Sequence, residues 1–137
     1  MFFYYTQKTD SHIVLFDAYM GRQFACSPEA IYLEMLNDPR FSDFTFVWAF
    51  RNPGDFSYLK GNKNTLTTVY ESGEYFKYCA KAKYWITNSR LNEAIKKKPE
   101  QVYIQCWHGT PLKKLGYDIE VKGCNAMNSV AALQHKY

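Results

Sequence analysis

The stretch Leu66-Thr67-Thr68-Val69-Tyr70, then Gly73 to Lys83, then Tyr84-Trp85-Ile86-Thr87 decides the fold. Its first part is β-branched and aromatic, the composition of a strand. The middle turns helical, with Tyr75, Cys79 and Ala82 on one face. The last part is a second short apolar run. A strand, a helix and a strand in so few residues form a βαβ unit, and such a unit implies parallel pairing.

The same alternation extends both ways. Upstream, His12-Ile13-Val14-Leu15-Phe16 and Phe44-Thr45-Phe46-Val47-Trp48-Ala49-Phe50 are apolar runs of strand length. Between them Ser27-Pro28-Glu29 has the form of a helix start: Ser at the N-cap, Pro in the first helical position and an acid in the first turn. Ile31, Leu33, Met35 and Leu36 supply that helix with apolar positions, and Asp38-Pro39 closes it. Asn52-Pro53-Gly54 is a loop. Downstream, Leu91 to Lys98 is expected as a short helix ended by Pro99. Val102 to Trp107 is a fifth strand, and Asn125 to Tyr137 a final helix. The expected architecture is α/β: a Rossmann-like parallel sheet with helices on both faces, residues 1–137 forming one domain.

Folds of this kind bind ligands at the carboxyl ends of their strands. That rule singles out Asp17 to Arg22, Arg51-Asn52, Asn88-Ser89-Arg90 and His108-Gly109-Thr110. The last is the most informative. Gly109 allows a sharp turn, Thr110 suits an N-cap, Pro111 the first helical position and Gly116 the helix end. A short helix starting there would present free N–H groups and a positive dipole end to the cleft, with Lys113 and Lys114 adding charge. His108, with an ordinary pKa near neutral, is suited to take a proton from an attacking hydroxyl beside that anion site. Its other reading is structural, with Gly109, Thr110 and Pro111 as turn chemistry. In Asn88-Ser89-Arg90 the amide and hydroxyl suit a polyol and the guanidinium a phosphate. The alternative there is a capping turn with a solvated arginine. Lys96-Lys97-Lys98 is expected as a solvated helix end, with anionic lipid as its other possible contact.

Composition narrows the partners. The 137 residues are 47% hydrophobic, 22% charged and 18% aromatic, enough apolar material for a core and too much for disorder. A net charge of +4 suits phosphate-bearing ligands or an anionic surface. The basic residues are scattered and form no stripe, which argues against nucleic acid. Cys26, Cys79, Cys106 and Cys124 form no CxxC pair and are expected as free thiols in a reducing compartment, without a metal site. No run approaches the roughly 20 apolar residues of a membrane span.

The stretch Val102-Tyr103-Ile104-Gln105-Cys106-Trp107-His108-Gly109-Thr110-Pro111-Leu112-Lys113-Lys114-Leu115-Gly116 resembles the signature of the CDP-glycerol glycerophosphotransferases, the teichoic acid primases and polymerases of Gram-positive bacteria. Ala25 to Tyr32, Phe46 to Phe50 and Ala80 to Leu91 are similar to the family as well, so the resemblance covers most of the chain. Cys106 stands where the family more often has Thr. The resemblance implies the amino-terminal, acceptor-side half of a GT-B fold. It implies a lipid-linked polyol-phosphate acceptor and CDP-glycerol as donor, with no cofactor. In the family a histidine matching His108 is the base on the acceptor hydroxyl. Gly109, Thr110, Lys113, Asn88, Ser89 and Arg90 are the accompanying substrate-binding candidates. A second, donor-binding half and a further functional histidine are expected outside these residues, so this chain alone is expected to be inactive. The implied location is cytoplasmic, peripheral on the inner face of the membrane. The alternative is a non-catalytic module that binds a polyol-phosphate chain or a partner domain.

Overall fold

The computed structural model describes residues 6–107. Its elements are β1 (Asp10–Asp17), α1 (Cys26–Asn37), β2 (Thr45–Phe50), β3 (Thr65–Val69), α2 (Gly73–Lys81), β4 (Ala82–Thr87) and β5 (Val102–Gln105), with 3₁₀ segments at Pro39–Phe41 and Pro53–Gly61. All neighbouring strands pair in parallel, in the order β3-β2-β1-β4-β5. The parallel Rossmann-like sheet expected from the sequence is therefore present.

The apolar runs are continuous because these strands are covered on both faces. Alternate residues face opposite ways. Val14, Phe16, Phe46, Trp48, Phe50 and Ile86 form one core, into which α1 inserts Tyr32. Leu15, Val47, Ala49 and Trp85 form the other, which α2 covers with Tyr75 and Cys79. On the α1 side Phe16 stacks on Trp48 at 5.1 Å and Trp48 on Phe50 at 5.6 Å. Tyr32 meets Trp48 edge-on at 5.7 Å, and its hydroxyl is held by Thr65 (2.8 Å) and the Asn62 amide (2.9 Å). Burial of several large rings on one face is the main favourable contribution to this half of the core.

Three local expectations are corrected. α1 begins at Cys26 after Ala25, which makes no side-chain cap, so Ser27 lies inside the first turn and does not cap it. α2 is capped as the sequence allows, Ser72 Oγ accepting from Tyr75 N–H at 3.2 Å, but it stops at Lys81 because Ala82 and Lys83 join β4.

The third correction is larger: Leu91 to Lys98 is not a helix. Asn92 folds its side chain onto the Ala94 N–H (2.9 Å) and donates to Glu71 (2.7 Å), a local bonding that competes with a helix. Leu91 and Ile95, spaced as on a helix, pack against the α2-side core from irregular chain. Lys98 is buried and is no solvated end. Its ammonium donates to the carbonyls of Gln7 and of Ala80, the latter at 2.8 Å. Gln101 Nε2 donates to the carbonyls of Cys79 and Ala82, each at 2.7 Å. The α2 terminus thus receives its capping partners from this connection.

Candidate functional site at the carboxyl edge of the sheet

From β1 the sheet grows one way to β2 and β3 and the other way to β4 and β5. The β1/β4 boundary is therefore the topological switch point, where open α/β sheets leave a crevice. Four strand ends converge around it: Asp17, Arg51, Tyr70-Glu71 and Asn88-Ser89-Arg90.

The loop after β1 is built tightly. Tyr19, Met20 and Gly21 are all left-handed, with φ of 51°, 56° and 74°. A Cβ on Gly21 would lie 2.8 Å from Tyr70 Cβ and 3.1 Å from the Arg51 nitrogen, so only glycine fits. Gly21 N–H donates to Asp17 Oδ1 at 2.7 Å, and Gly21 O accepts from Arg51 N–H at 2.7 Å. Tyr19 N–H donates to Asn88 Oδ1 at 2.8 Å, joining the loop to the end of β4. Glu71 and Trp107, just past β3 and β5, are left-handed too, at 59° and 57°. Backbone strain thus gathers on this edge, as it does where a ligand site over-determines the chain.

Asp17 is fully buried. Burial pushes its carboxyl up from an ordinary 3.8 to about 7, against the opposing pull of the Gly21 N–H and Arg51; Glu71 raises it further. Its Oδ2 has no hydrogen-bond partner among the described residues. Arg51 is exposed yet held: Nε donates to Met20 O at 2.9 Å and the guanidinium lies 5.7 Å from the centre of the Tyr70 ring.

Asn88 is buried, its carbonyl oxygen also accepting from Ser89 Oγ at 3.2 Å. Ser89 O accepts from Thr87 Oγ1 (2.8 Å) and Gln105 Nε2 (2.9 Å), so this turn is fixed by β4 and β5. Ser89 and Arg90 are half-buried. Cys106 N–H donates to Thr87 O at 2.7 Å, carrying the β5 pairing to the edge where Trp107 is 51% exposed. His108, Gly109, Thr110 and Lys113 lie outside the described residues.

Sequence reading pointed to the loops holding Asp17 and Arg51 but assigned neither a role. One signal was available: an acid ending an otherwise apolar strand. A concavity lined by Leu36, Phe46, Lys63 and Asn64 lies at the opposite edge, away from these groups.

All 137 residues match one family, CDP-Glycerol:Poly(glycerophosphate) glycerophosphotransferase. The chain is 36% identical over 108 residues to a teichoic acid poly(glycerol phosphate) polymerase of Bacillus spizizenii, covering 79% of this chain and 27% of that protein. It is 31% identical over 122 residues to a teichoic acid glycerol-phosphate transferase of Staphylococcus aureus, covering 87% of this chain and 30% of the relative. The structure of the wall teichoic acid polymerase TagF superposes with a TM-score of 0.73 at 27% identity, covering 92% of this chain and 30% of that one. The chain therefore spans under a third of the length of these relatives, and its sheet is the Rossmann-like sheet of a GT-B-type fold. The chain belongs to the CDP-glycerol:poly(glycerophosphate) glycerophosphotransferase family.

Proposed function

We propose that this chain is the acceptor-side half of an enzyme that moves glycerol phosphate, or a related polyol phosphate, from CDP-glycerol to a teichoic-acid-type acceptor. His108 takes the proton of the acceptor's terminal hydroxyl. That oxygen bonds to the β-phosphorus of CDP-glycerol, the bond from this phosphorus to the bridging oxygen breaks, and CMP leaves with the electron pair. Gly109, Thr110 and Lys113, together with Asn88, Ser89 and Arg90, bind the polyol and its phosphates. Fixed positive groups stabilise the charge that develops on the transferred phosphate. CDP-glycerol is assigned to a second α/β half outside these 137 residues. The acceptor is lipid-linked, which places the reaction at the inner face of the membrane. No helix among the described residues is long and apolar enough to cross one, and a net charge of +4 favours an anionic surface.

One observation carries the reading. β5 delivers Cys106 and Trp107, and so the start of the Trp-His-Gly-Thr-Pro-Leu-Lys run, to the carboxyl edge of a parallel sheet beside the Asn88-Ser89-Arg90 turn. That is the edge where such sheets do their chemistry.

The test is CMP release from CDP-glycerol with a lipid-linked acceptor, in the protein that joins this chain to a donor-binding half. His108→Ala is expected to lower the rate by about two orders of magnitude or more with the fold intact. An unchanged rate would remove His108 from the chemistry. It would favour a second reading, in which this half only binds the polyol-phosphate chain, because the bonds that fix Asp17, Arg51 and Asn88 are made within the described residues.

A further inference from the structure

Resting on that acceptor reading, we propose that Arg51 is a phosphodiester-binding residue of the polyol-phosphate site, and that the Asp17–Gly21 loop is the element that orients it. An exposed arginine ordinarily samples many rotamers. This one is restrained at three points, two on the loop after β1 and one just past β3. Its backbone N–H is on Gly21 O at 2.7 Å, its Nε on Met20 O at 2.9 Å, and its guanidinium packs over Tyr70. The hydrogen bonds among these use the backbone N–H and Nε alone. Neither Nη group has an acceptor, and no carboxylate lies within ion-pairing distance, among the described residues.

A structural arginine is usually neutralised by a carboxylate in a forked pair. Arg51 is instead aimed and left with its fork unused, at the edge of the sheet where ligands bind. The two Nη groups match the two non-bridging oxygens of a phosphodiester, a planar bidentate contact that lysine cannot reproduce. A poly(polyol phosphate) chain presents one such monoanion per repeat. Asp17 contributes from beneath. It is buried, and its bond to Gly21 N–H holds the left-handed arc from which both the Met20 and Gly21 carbonyls reach Arg51. Gly21 itself admits no side chain against Tyr70 and Arg51, so loop and arginine are set by one another.

The experiment titrates the 137-residue protein with a synthetic glycerol-phosphate oligomer, with dimethyl phosphate and with free glycerol, at low salt. Affinity is read by calorimetry and the Arg51 Nε–H resonance by NMR. In the unmodified protein the oligomer is expected to shift that resonance; no shift at saturation would overturn the proposal without any variant. Arg51→Gln is expected to weaken the oligomer about tenfold or more, and Arg51→Lys nearly as much. Arg51→Gln binding as tightly as wild type would overturn the assignment, and Arg51→Lys binding as tightly would overturn the fork. If dimethyl phosphate binds in an Arg51-dependent way and the oligomer binds no better, the anion site stands and the acceptor reading falls. If the oligomer binds and Arg51→Gln changes nothing, the acceptor reading stands and this proposal falls. If neither phosphodiester binds, both fall.

Discussion

Two buried ionisable side chains sit at opposite edges of the sheet and are treated in opposite ways. Lys98, at the amino edge, donates to the carbonyls of Gln7 and Ala80 and closes the end of α2. Asp17, at the carboxyl edge, receives one N–H on Oδ1 while Oδ2 is left without a partner among the described residues. Folding stability explains the first arrangement, because buried charge is tolerated where its hydrogen bonds are supplied. It does not explain the second. An asparagine would accept from Gly21 N–H just as well and carry no charge. A site that keeps a costly group is one where local stability has been traded for something else, and such sites gather at ligand-binding edges. The left-handed Tyr19, Met20, Glu71 and Trp107 mark the same edge.

The largest expected effect breaks the comparison at Asp17. Its carboxyl titrates near 7 in the folded protein against an ordinary 3.8. Between these values the unfolded chain has released its proton and the folded chain has kept it. Unfolding is therefore increasingly favoured as pH rises from about 4 to about 7, and the effect is level above that. The interval from 3.8 to about 7, at about 1.4 kcal/mol per pH unit, amounts to ~4 kcal/mol. Asp17→Asn lacks this dependence. Urea unfolding at steps from pH 4 to pH 8 should show the wild type losing ~4 kcal/mol relative to Asp17→Asn across the window. Tyr70 and Cys79, which are also raised by burial, titrate well above it and leave the difference untouched. Parallel curves would mean that Asp17 is ionised throughout and that the two edges do not differ.

The next effect tests the other side. Lys98→Met keeps the length and apolar stem of the side chain and removes the donors. The Gln7 and Ala80 carbonyls then lose their partner in a buried place. A cost of about 2–3 kcal/mol is expected. A cost below about 0.5 kcal/mol would show that water replaces the ammonium and that the amino edge is not held by this residue. Phosphodiester affinity should be unchanged, since Lys98 faces away from the carboxyl edge.

These two residues also show where sequence reading succeeds and where it stops. The sheet was legible because both of its faces are buried. Val14-Leu15-Phe16 and Phe46 to Phe50 read as continuous apolar runs, and only covered parallel strands need that. The order of strand ends then pointed to the loops that carry Asp17, Arg51 and Asn88. Leu91 to Lys98 was misread because Leu91 and Ile95 have helical spacing, while Asn92 and Lys98 spend their hydrogen bonds on distant partners. Nothing local shows that Lys98 will meet Ala80 or that Gly21 will press on Tyr70. Burial of Asp17 and restraint of Arg51 depend on such long-range approaches. The residue types were visible, and their roles were not. The His108 motif was read from its place just past a strand and from resemblance, and its position lies outside the described residues.

The smallest expected effect on stability gives the sharpest separation of the edges. Gly21 has φ 74° and no room for a Cβ, so Gly21→Ala must move Tyr70 or the Arg51 backbone. Strain of this size costs about 1–2 kcal/mol, which leaves a stable domain folded. Asn64 is the matched site at the amino edge: it too is left-handed, at φ 54°, and its amide donates to Ser42 O at 3.0 Å. Asn64→Gly keeps that backbone and loses one exposed bond, for about 0.5 kcal/mol. If the carboxyl edge is a ligand site, Gly21→Ala should weaken the glycerol-phosphate oligomer several-fold, because it displaces the fork without altering it. Asn64→Gly should leave that affinity where it was. Equal affinities in the two variants would mean that the left-handed arc after β1 only turns the chain. The strain at this edge would then be a consequence of tight packing between Gly21 and Tyr70, with no ligand to justify it.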